Sequence, residues 1–218
     1  MEKIDFLKEH RFIVILRYID KNYIKDVAKA LYDGGVRIFE VTFNPSDAHT
    51  CQSTAEMIKE IKAIYGDEIM VGAGTVVCMD YAKAAFQAGA EFIVSPCTNK
   101  EIIEYTKQNG MLSIPGAYTP TEISNAHDWG ADIVKIFPVL PDETDYVKTV
   151  FAPLSHIPFI PTGGISPDTI EAFLDTGAVA VGAGASVLNG DMVKNGQYDL
   201  ITKNSLVHTE KAKKFKRS

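Results

Sequence analysis

One lysine, Lys135, stands in the middle of a run that otherwise predicts a buried strand, ADIVKIFP at residues 131–138. A lysine is rarely fully buried, because removing an ammonium group from water is costly unless something compensates for it. Lys135 therefore either faces solvent or has a chemical role. An unprotonated lysine amine can attack a ketone, and burial in an apolar site supplies that form by lowering the lysine pKa. The resulting iminium draws electrons from the adjacent carbon, so that a carbon–carbon bond can break or a proton can leave.

A carboxylate that could serve this lysine lies in the run FEVTF at residues 39–43. Strand alternation puts Lys135 and Phe137 on one face of their strand, and Glu40 and Thr42 on one face of theirs. These are the predicted second and sixth strands, and side chains of alternate strands fill the same layer of a barrel interior. Lys135 and Glu40 can then form either a buried ion pair or a nucleophile with its general acid/base. The strand pattern leaves both open, and the chemistry of lysine favours the second.

Two glycine-containing loops form a second candidate site. The run PTGGISPD, residues 161–168, is expected to begin a helix with Ser166 as the N-cap and Pro167 as the first helical residue. The run GAGAS occupies residues 182–186. Loops after the seventh and eighth strands of a barrel commonly bind phosphate through backbone N–H groups and a helix N-terminus. The predicted phosphate ligands are Gly163, Gly164, Gly184 and Ser186.

A repeated unit must position these residues. An amphipathic helix, a glycine and a short apolar strand recur along the chain, and the glycine is of the kind that ends a helix in a left-handed C′ conformation. The five glycines are Gly35, Gly89, Gly110, Gly130 and Gly177. Strands that alternate with helices predict a parallel sheet of βαβ units. The predicted strands are 12–17, 37–43, 70–76, 92–96, 112–116, 133–138, 159–164 and 179–184.

Eight such strands predict a closed α/β fold, the (β/α)8 or TIM barrel, with an extra helix near 3–10 and a C-terminal helix near 198–214. An open doubly wound sheet is the competing architecture, but the Gly-rich turn typical of its first strand is absent from ILRYID. Reacting groups of a barrel project from the carboxyl ends of its strands. Buried polar residues at this many strand ends are hard to explain by packing. They are Arg17, Glu40, Thr42, Thr75, Ser95, Lys135, Thr162 and Ser186.

Length and composition predict one globular domain over residues 1–218 and exclude several classes of protein. No apolar run approaches the roughly 18 residues that span a bilayer. The N-terminal run MEKIDFLKEHRF lacks the apolar centre of a secretory signal, so a cytoplasmic location is expected. A net charge of -6 argues against a nucleic-acid partner, and the locally basic end KAKKFKRS is interpreted as a helix end and tail. The three cysteines and five histidines have no ligand-like spacing, which predicts no disulfide and no metal site.

Six motifs in this order resemble the class I 2-keto-3-deoxy-6-phosphogluconate aldolases over nearly the whole chain. They are FEVTF, VGAGTV, EFIVSP, MLSIPG, IVKIFP and PTGGI. The resemblance implies a homotrimeric (β/α)8 barrel that cleaves the sugar acid phosphate to pyruvate and glyceraldehyde 3-phosphate, without a metal or other cofactor. It implies that Lys135 forms the Schiff base, that Glu40 is the general acid/base and that Thr75 helps to bind the pyruvate carboxylate. It further implies a pocket lined by Pro96 and Phe137 and a phosphate held by Gly163, Gly164 and Ser186.

One departure from the family pattern concerns substrate choice. Many members read Glu-Val-Thr-Leu-Arg where this chain has Asn44 at the last position. Asn44 carries no charge, so Arg17 becomes the expected cationic partner of a carboxylate or phosphate. An arginine on strand one with an asparagine after strand two is similar to relatives acting on the 4-epimeric 6-phosphogalactonate compound, whereas Thr162 resembles the gluconate type. Both epimers, and unphosphorylated 4-hydroxy-2-oxoglutarate, remain open as substrates.

Two other classes of function also fit the barrel and its phosphate loops. A phosphosugar isomerase or epimerase would use the loops and carboxylates without a covalent lysine. A binding protein without catalysis would be stabilised by its phosphorylated ligand and turn nothing over. The presence of both Glu40 and Lys135 argues against the second class, because a binder has no need of this costly pair.

Overall fold

The structure is a computed structural model that describes residues 2–215, so the last three residues of the basic C-terminal run lie outside the described residues. Its strands are β1 (Phe12–Leu16), β2 (Ile38–Thr42), β3 (Met70–Gly74), β4 (Phe92–Val94), β5 (Leu112–Ile114), β6 (Gly116–Ala117), β7 (Val134–Val139), β8 (Phe159–Gly163) and β9 (Val181–Ala183). Its helices are α1 (Lys3–His10), α2 (Ile24–Asp33), α3 (Thr50–Tyr65), α4 (Met79–Gln87), α5 (Lys100–Gln108), α6 (Pro120–Asp128), α7 (Thr144–Phe151), α8 (Ile170–Asp175), α9 (Gly190–Lys194) and α10 (Tyr198–Lys214). Short 3-10 helices cover Lys21–Tyr23 and Gly66–Glu68.

The strands form one parallel barrel. Their order is β5-β4-β3-β2-β1-β9-β8-β7-β6, and every adjacent pair is parallel. The strands β5 and β6 are two halves of the predicted fifth strand, interrupted at Pro115, which has no N–H to donate to a ladder. The Pro115 carbonyl accepts a hydrogen bond from Lys135 N–H at 2.9 Å, so the same segment bonds β4 on one side and β7 on the other. The predicted eight-stranded (β/α)8 barrel is therefore confirmed.

Side-chain alternation divides the apolar residues into two cores. The inner core fills the barrel at the amino ends of the strands, and it consists of Leu7, Ile13, Ile38, Met70, Phe92, Val94, Leu112, Ile114, Ile133, Ile160 and Ala180. The outer core lies between the strands and the helices and includes Val14, Phe39, Val134 and Ile136. Each fully buried aliphatic or aromatic side chain contributes about 1.5–3 kcal/mol to folding. Ile133 and Ile38 belong to the inner core and lie two positions before Lys135 and Glu40. Because residues two apart in a strand share a face, Lys135 and Glu40 also point into the barrel, as predicted.

The two flanking helices occupy different places on the barrel. Helix α1 places Leu7, which is 0% exposed, in the inner core, so α1 closes the amino end of the barrel. Helix α10 packs on the outside against α2 and α8. Both bounds agree with the helices predicted near 3–10 and 198–214. Among residues 2–215, none of the helices combines the length and the hydropathy of a membrane-spanning segment.

The helix-ending glycines were predicted correctly, and one helix start was not. All five predicted C′ glycines have positive φ, from 68° at Gly110 to 102° at Gly177. The predicted first helical residue Pro167 was wrong, because α8 begins only at Ile170 and Thr169 directly precedes it. Ser166 nevertheless makes cap-type bonds one turn earlier: its Oγ accepts from Asp168 N–H at 3.3 Å, and its carbonyl accepts from Ile170 N–H at 3.1 Å. The Ser166 N–H donates to Thr169 Oγ1 at 2.9 Å, and the Thr169 hydroxyl donates to Gly164 O, also at 2.9 Å. These bonds form a turn before the helix.

Candidate active site

Lys135 and Glu40 lie in the same layer of the barrel interior. Lys135 on β7 is 4% exposed and Glu40 on β2 is 2% exposed. In the ladders, Lys135 pairs with Ile160 of β8, and Glu40 pairs with Ile15 of β1. Paired residues of neighbouring strands present their side chains on the same face. This layer therefore begins directly above the apolar inner core.

The environment of Lys135 favours the neutral amine. Burial lowers the pKa of Lys135, the carboxylate of Glu40 opposes this by raising it, and the guanidinium of Arg17 lowers it further. Within residues 2–215 the amine forms no ion pair with any carboxylate, so the predicted alternative of a buried Lys135–Glu40 ion pair is absent. The Lys135 Nζ atom lies 4.9 Å from the centroid of the Phe137 ring. A buried amine without a carboxylate partner is available as a nucleophile.

The Glu40 carboxylate also has unused hydrogen-bonding capacity. Its Oε1 atom is buried and has no hydrogen-bond partner among the described residues. The side chain extends across Gly74 of β3, where a Cβ atom would overlap Oε1. Glycine at residue 74 therefore creates the space in which this carboxylate lies. A buried carboxylate oxygen without a protein partner can accept a proton from a substrate or a water molecule.

A cavity of about 520 Å³ opens at the carboxyl ends of β1, β7, β8 and β9. Among residues 2–215, its wall has two basic side chains and no acidic one. It consists of Ile15, Arg17, Tyr18, Phe137, Thr162, Gly163, Gly182, Gly184, Ala185, Leu188, Asn189, Gly190 and Lys194. Neither Arg17 nor Lys194 forms an ion pair with residues 2–215. Lys135 and Glu40 do not line this cavity, but Phe137, whose ring centroid lies 4.9 Å from Lys135 Nζ, does. This cavity suits a ligand with more than one negative charge.

The loop between β9 and α9, residues 184–189 and here called the β9 loop, offers backbone N–H donors to this cavity. No acceptor within residues 2–215 receives a hydrogen bond from the N–H groups of Gly184, Ala185 or Ser186. The loop between β8 and α8, residues 164–169 and here called the β8 loop, differs in that one of its N–H groups is already bonded. Gly164 N–H donates to the Val139 carbonyl at 2.6 Å. Successive unpaired N–H groups form an anion-binding concavity. The donors at the predicted phosphate loops therefore lie mainly on the β9 side.

The Ser186 hydroxyl points away from the cavity. Its Oγ atom lies 2.9 Å from the carbonyl of Ile165 and 3.0 Å from Nε2 of His208 in α10. Ser186 does not line the cavity, although Gly184 and Ala185 do. The Ser186 hydroxyl is therefore already engaged, whereas the Ser186 N–H has no acceptor within residues 2–215.

The remaining predicted residues lie at the same end of the barrel. Arg17, Phe137, Thr162, Gly163 and Gly184 line the cavity, whereas Gly164 packs against the loop after β7. Thr75 and Pro96 follow β3 and β4, are half-buried, and lie outside the cavity wall.

Thr75 has an unusual backbone conformation for its residue type, with φ of 58°. Such a conformation in a β-branched residue costs about 1–3 kcal/mol and is concentrated at functional sites. Asn44 uses its side-chain oxygen to accept a hydrogen bond from Ser46 N–H at 3.1 Å, and it does not line the cavity. It therefore caps its own turn, and Arg17 is the cation on this side of the cavity.

Sequence reasoning missed Lys194 and Tyr18. Lys194 is the last residue of α9, where Met192 and Val193 are buried and leave Lys194 exposed at the cavity. Tyr18 is 65% exposed with φ of 57°. A lysine after a short apolar pair is common on helix surfaces, so the sequence does not distinguish Lys194 from other surface lysines. Nor does the sequence around Tyr18 indicate that it lines a cavity.

The fold and this site together define a class of protein. A parallel (β/α)8 barrel with a neutral-leaning lysine inside and a cationic cavity above it is the type of site that lysine-dependent, class I aldolases require. Comparison with known proteins identifies the family within that class.

The family model described as KDPG and KHG aldolase matches residues 4–204, and the chain belongs to this family. It is 32% identical over 177 residues to a 2-dehydro-3-deoxy-phosphogluconate aldolase of Treponema pallidum, covering 81% of each chain. It is 31% identical over 186 residues to a 2-dehydro-3-deoxy-6-phosphogalactonate aldolase of Escherichia coli, covering 85% of each chain. A solved structure described as native KDPGal is similar with a TM-score of 0.80 and 28% identity, over 92% of this chain and 93% of that one. The protein is therefore an aldolase, a carbon–carbon lyase.

Proposed function

We propose that this aldolase cleaves a 2-keto-3-deoxy-6-phospho sugar acid to pyruvate and glyceraldehyde 3-phosphate through a Schiff base on Lys135. The observation that carries the proposal is the buried Lys135 amine, which has a lowered pKa and no carboxylate partner within the described chain. At an ordinary lysine pKa of about 10.4, only about four amines in ten thousand are unprotonated at pH 7. Each unit by which the pKa falls raises that fraction about tenfold.

The reaction begins when Lys135 Nζ attacks the C2 ketone and forms a carbinolamine. Loss of water gives an iminium, and Glu40 removes the proton of the C4 hydroxyl as the C3–C4 bond breaks. The bonding electrons pass to the iminium and form an enamine, while C4 leaves as the aldehyde of glyceraldehyde 3-phosphate. The enamine takes a proton at C3, and water hydrolyses the iminium to release pyruvate and the free amine. The unpartnered Glu40 Oε1 supports this proton-transfer role.

The substrate has two anionic groups, and the cavity has separate features that suit each. Its phosphate suits the β9 loop, where the N–H groups of Gly184, Ala185 and Ser186 are unpaired within the described chain and Lys194 is nearby. Its carboxylate suits the side of Arg17, whose charge also lowers the pKa of Lys135. Thr75 is proposed to assist the carboxylate, as the family resemblance implies.

The stereochemistry at C4 is proposed to be that of the gluconate compound, on the ground of Thr162 in the cavity wall. The two relatives that act on the epimers are 32% and 31% identical to this chain and do not favour either one. Cleavage rates of both phosphorylated epimers and of 4-hydroxy-2-oxoglutarate, measured by coupled assay of pyruvate, decide the order of preference. A kcat/KM at least tenfold higher for the galactonate compound would reverse this assignment.

Trapping with borohydride tests the Schiff base. Intact mass spectrometry after incubation with pyruvate and borohydride should show one pyruvyl-derived addition, and peptide mapping should place it on Lys135. Lys135→Met should abolish both the addition and cleavage, whereas Lys148→Met, which removes an exposed lysine of α7, should retain both. Absence of an adduct in folded protein would refute the Schiff base and favour a phosphosugar isomerase or epimerase.

A homotrimer is proposed from the family resemblance, and sedimentation or light scattering of the purified protein tests it. A monomer at micromolar concentration would contradict this proposal without affecting the chemistry. The cytoplasmic location expected from the N-terminal residues stays a prediction.

A further inference from the structure

The C-terminal helix α10 holds the β9 loop through a buried histidine. His208 is 1% exposed, and its Nδ1 atom lies 2.7 Å from the carbonyl of Asn204, one turn earlier in α10. A carbonyl oxygen can only accept, so Nδ1 carries a proton. The opposite ring nitrogen, Nε2, lies 3.0 Å from Ser186 Oγ. The imidazole ring is therefore fixed in orientation, with one nitrogen directed at the β9 loop.

The Ser186 hydroxyl connects this histidine to the second glycine loop. Its Oγ atom lies 2.9 Å from the carbonyl of Ile165, which follows Gly163 and Gly164. Burial lowers the pKa of His208 below its ordinary value, so the neutral ring with its proton on Nδ1 accepts at Nε2. The one hydroxyl proton of Ser186 therefore lies between two acceptors, Nε2 of His208 and the carbonyl of Ile165. Ser186 thus contacts α10 on one side and the β8 loop on the other. Asn204 adds a further link, since its Nδ2 atom donates to the carbonyl of Val187 at 3.0 Å.

These bonds reach the loop at the Ser186 hydroxyl and the Val187 carbonyl, at and beside the segment that offers donors to the cavity. The N–H groups of Gly184, Ala185 and Ser186 have no acceptor within the described residues, and the segment contains no strand or helix. The positions of these donors therefore depend on the few bonds that hold the loop. His208 itself does not line the cavity and cannot contact the substrate there.

We infer that His208 is a positioning residue for phosphate binding, which acts by holding the Ser186 hydroxyl between α10 and the β8 loop. This inference rests on the proposed function, because it assigns the β9 loop to the substrate phosphate. It also reassigns the Ser186 side chain, which supports the loop and leaves the contact with phosphate to the backbone.

A comparison of two substrates tests the inference. His208→Ala should raise KM for the phosphorylated sugar acid about tenfold, the effect of losing one to two hydrogen bonds at the phosphate. The kcat for this substrate, and both kcat and KM for unphosphorylated 4-hydroxy-2-oxoglutarate, should change less than about twofold. Inorganic phosphate should also raise the melting temperature of the parent protein more than that of the variant.

Two further variants separate positioning from general destabilisation. His208→Gln places an amide the same number of bonds from Cα as Nε2, so it should restore most of the phosphate-dependent KM. Ser186→Ala should reproduce the effect of His208→Ala, and the double variant should add little to either change, because both remove one link. Ser186→Ala also tests the inference if His208→Ala does not fold.

The outcomes distinguish the inference from the proposed function. Equal losses with both substrates, or an unchanged KM for the phosphorylated one, would overturn the positioning role while leaving the aldolase chemistry intact. Failure of the parent protein to form a pyruvate adduct would instead overturn the proposed function.

Discussion

At the scale of single residues, Glu40 and Arg17 act on the Lys135 pKa in opposite directions, so substituting each of them should shift this pKa in opposite directions. Glu40 raises the Lys135 pKa and Arg17 lowers it, while burial lowers it most. The free amine is the reacting form, so the rate of adduct formation with pyruvate should increase with pH and level off above the Lys135 pKa. In the parent protein the midpoint should fall below the ordinary lysine pKa, because burial lowers the pKa of Lys135.

Glu40→Gln should move this midpoint to lower pH, and Arg17→Gln should move it to higher pH. The measurement is the pH dependence of irreversible inactivation by pyruvate with cyanoborohydride, which remains useful when turnover is lost. Shifts of the same sign in both variants would contradict the electrostatic account. Lys203→Gln on the outer helix α10 serves as the control and should leave the midpoint unchanged.

Gly74 should matter for catalysis because of the space it leaves for Glu40. A Cβ atom at residue 74 would overlap Glu40 Oε1, whereas one at Gly72 would overlap the Phe92 ring of the inner core. Gly74→Ala should therefore lower kcat by about one to two orders of magnitude by displacing the acid/base group. Gly72→Ala should act mainly on stability. Steady-state kinetics beside thermal unfolding of both variants would show whether this division holds.

At the scale of elements, the barrel separates stability at one end from chemistry at the other. Helix α1 inserts Leu7 into the inner core at the amino ends of the strands, while Lys135 and the cavity lie toward the carboxyl ends. Leu7→Ala should lower the free energy of unfolding by about 2–5 kcal/mol, the usual cost of a buried leucine. The kcat of the folded variant should stay within about twofold of the parent.

Denaturant unfolding and steady-state kinetics check this separation. Leu206→Ala on α10 is the matched control, because Leu206 is 46% exposed and should contribute less than about 0.5 kcal/mol. A loss of kcat in Leu7→Ala that persists where the variant is fully folded would show that α1 also supports the site.

At the scale of the whole molecule, the charge of the cavity opposes that of the chain. The net charge is -6, yet the part of the cavity wall that the structure describes contains Arg17 and Lys194 and no acidic side chain. Lys194→Ala should raise KM for the phosphorylated substrate several-fold, with a smaller effect on 4-hydroxy-2-oxoglutarate. Lys203→Ala removes the same charge from α10 and should leave both values unchanged. Equal effects of the two variants would indicate that only net charge matters.

Local sequence patterns were enough to predict the strands, the helix-ending glycines and the faces of Lys135 and Glu40. These features follow from local rules, because side-chain alternation and left-handed backbone conformations depend on neighbouring residues in the chain. The resemblance of six motifs to one family then predicted an aldolase, which the comparisons confirmed.

The partners of buried groups and the directions of loop side chains could not be predicted in this way, because they depend on packing across the fold. Within residues 2–215 Lys135 and Glu40 form no ion pair, Lys194 lines the cavity, and Ser186 contacts His208. Each of these findings concerns residues far apart in sequence. Local rules also placed the start of α8 too early, because hydrogen bonds of Thr169 favour a turn after Ser166. Contacts between residues far apart in sequence depend on how the barrel closes and how α10 packs against it. A periodic pattern predicts which face of an element a residue occupies, but it does not predict which residue lies opposite it in the fold.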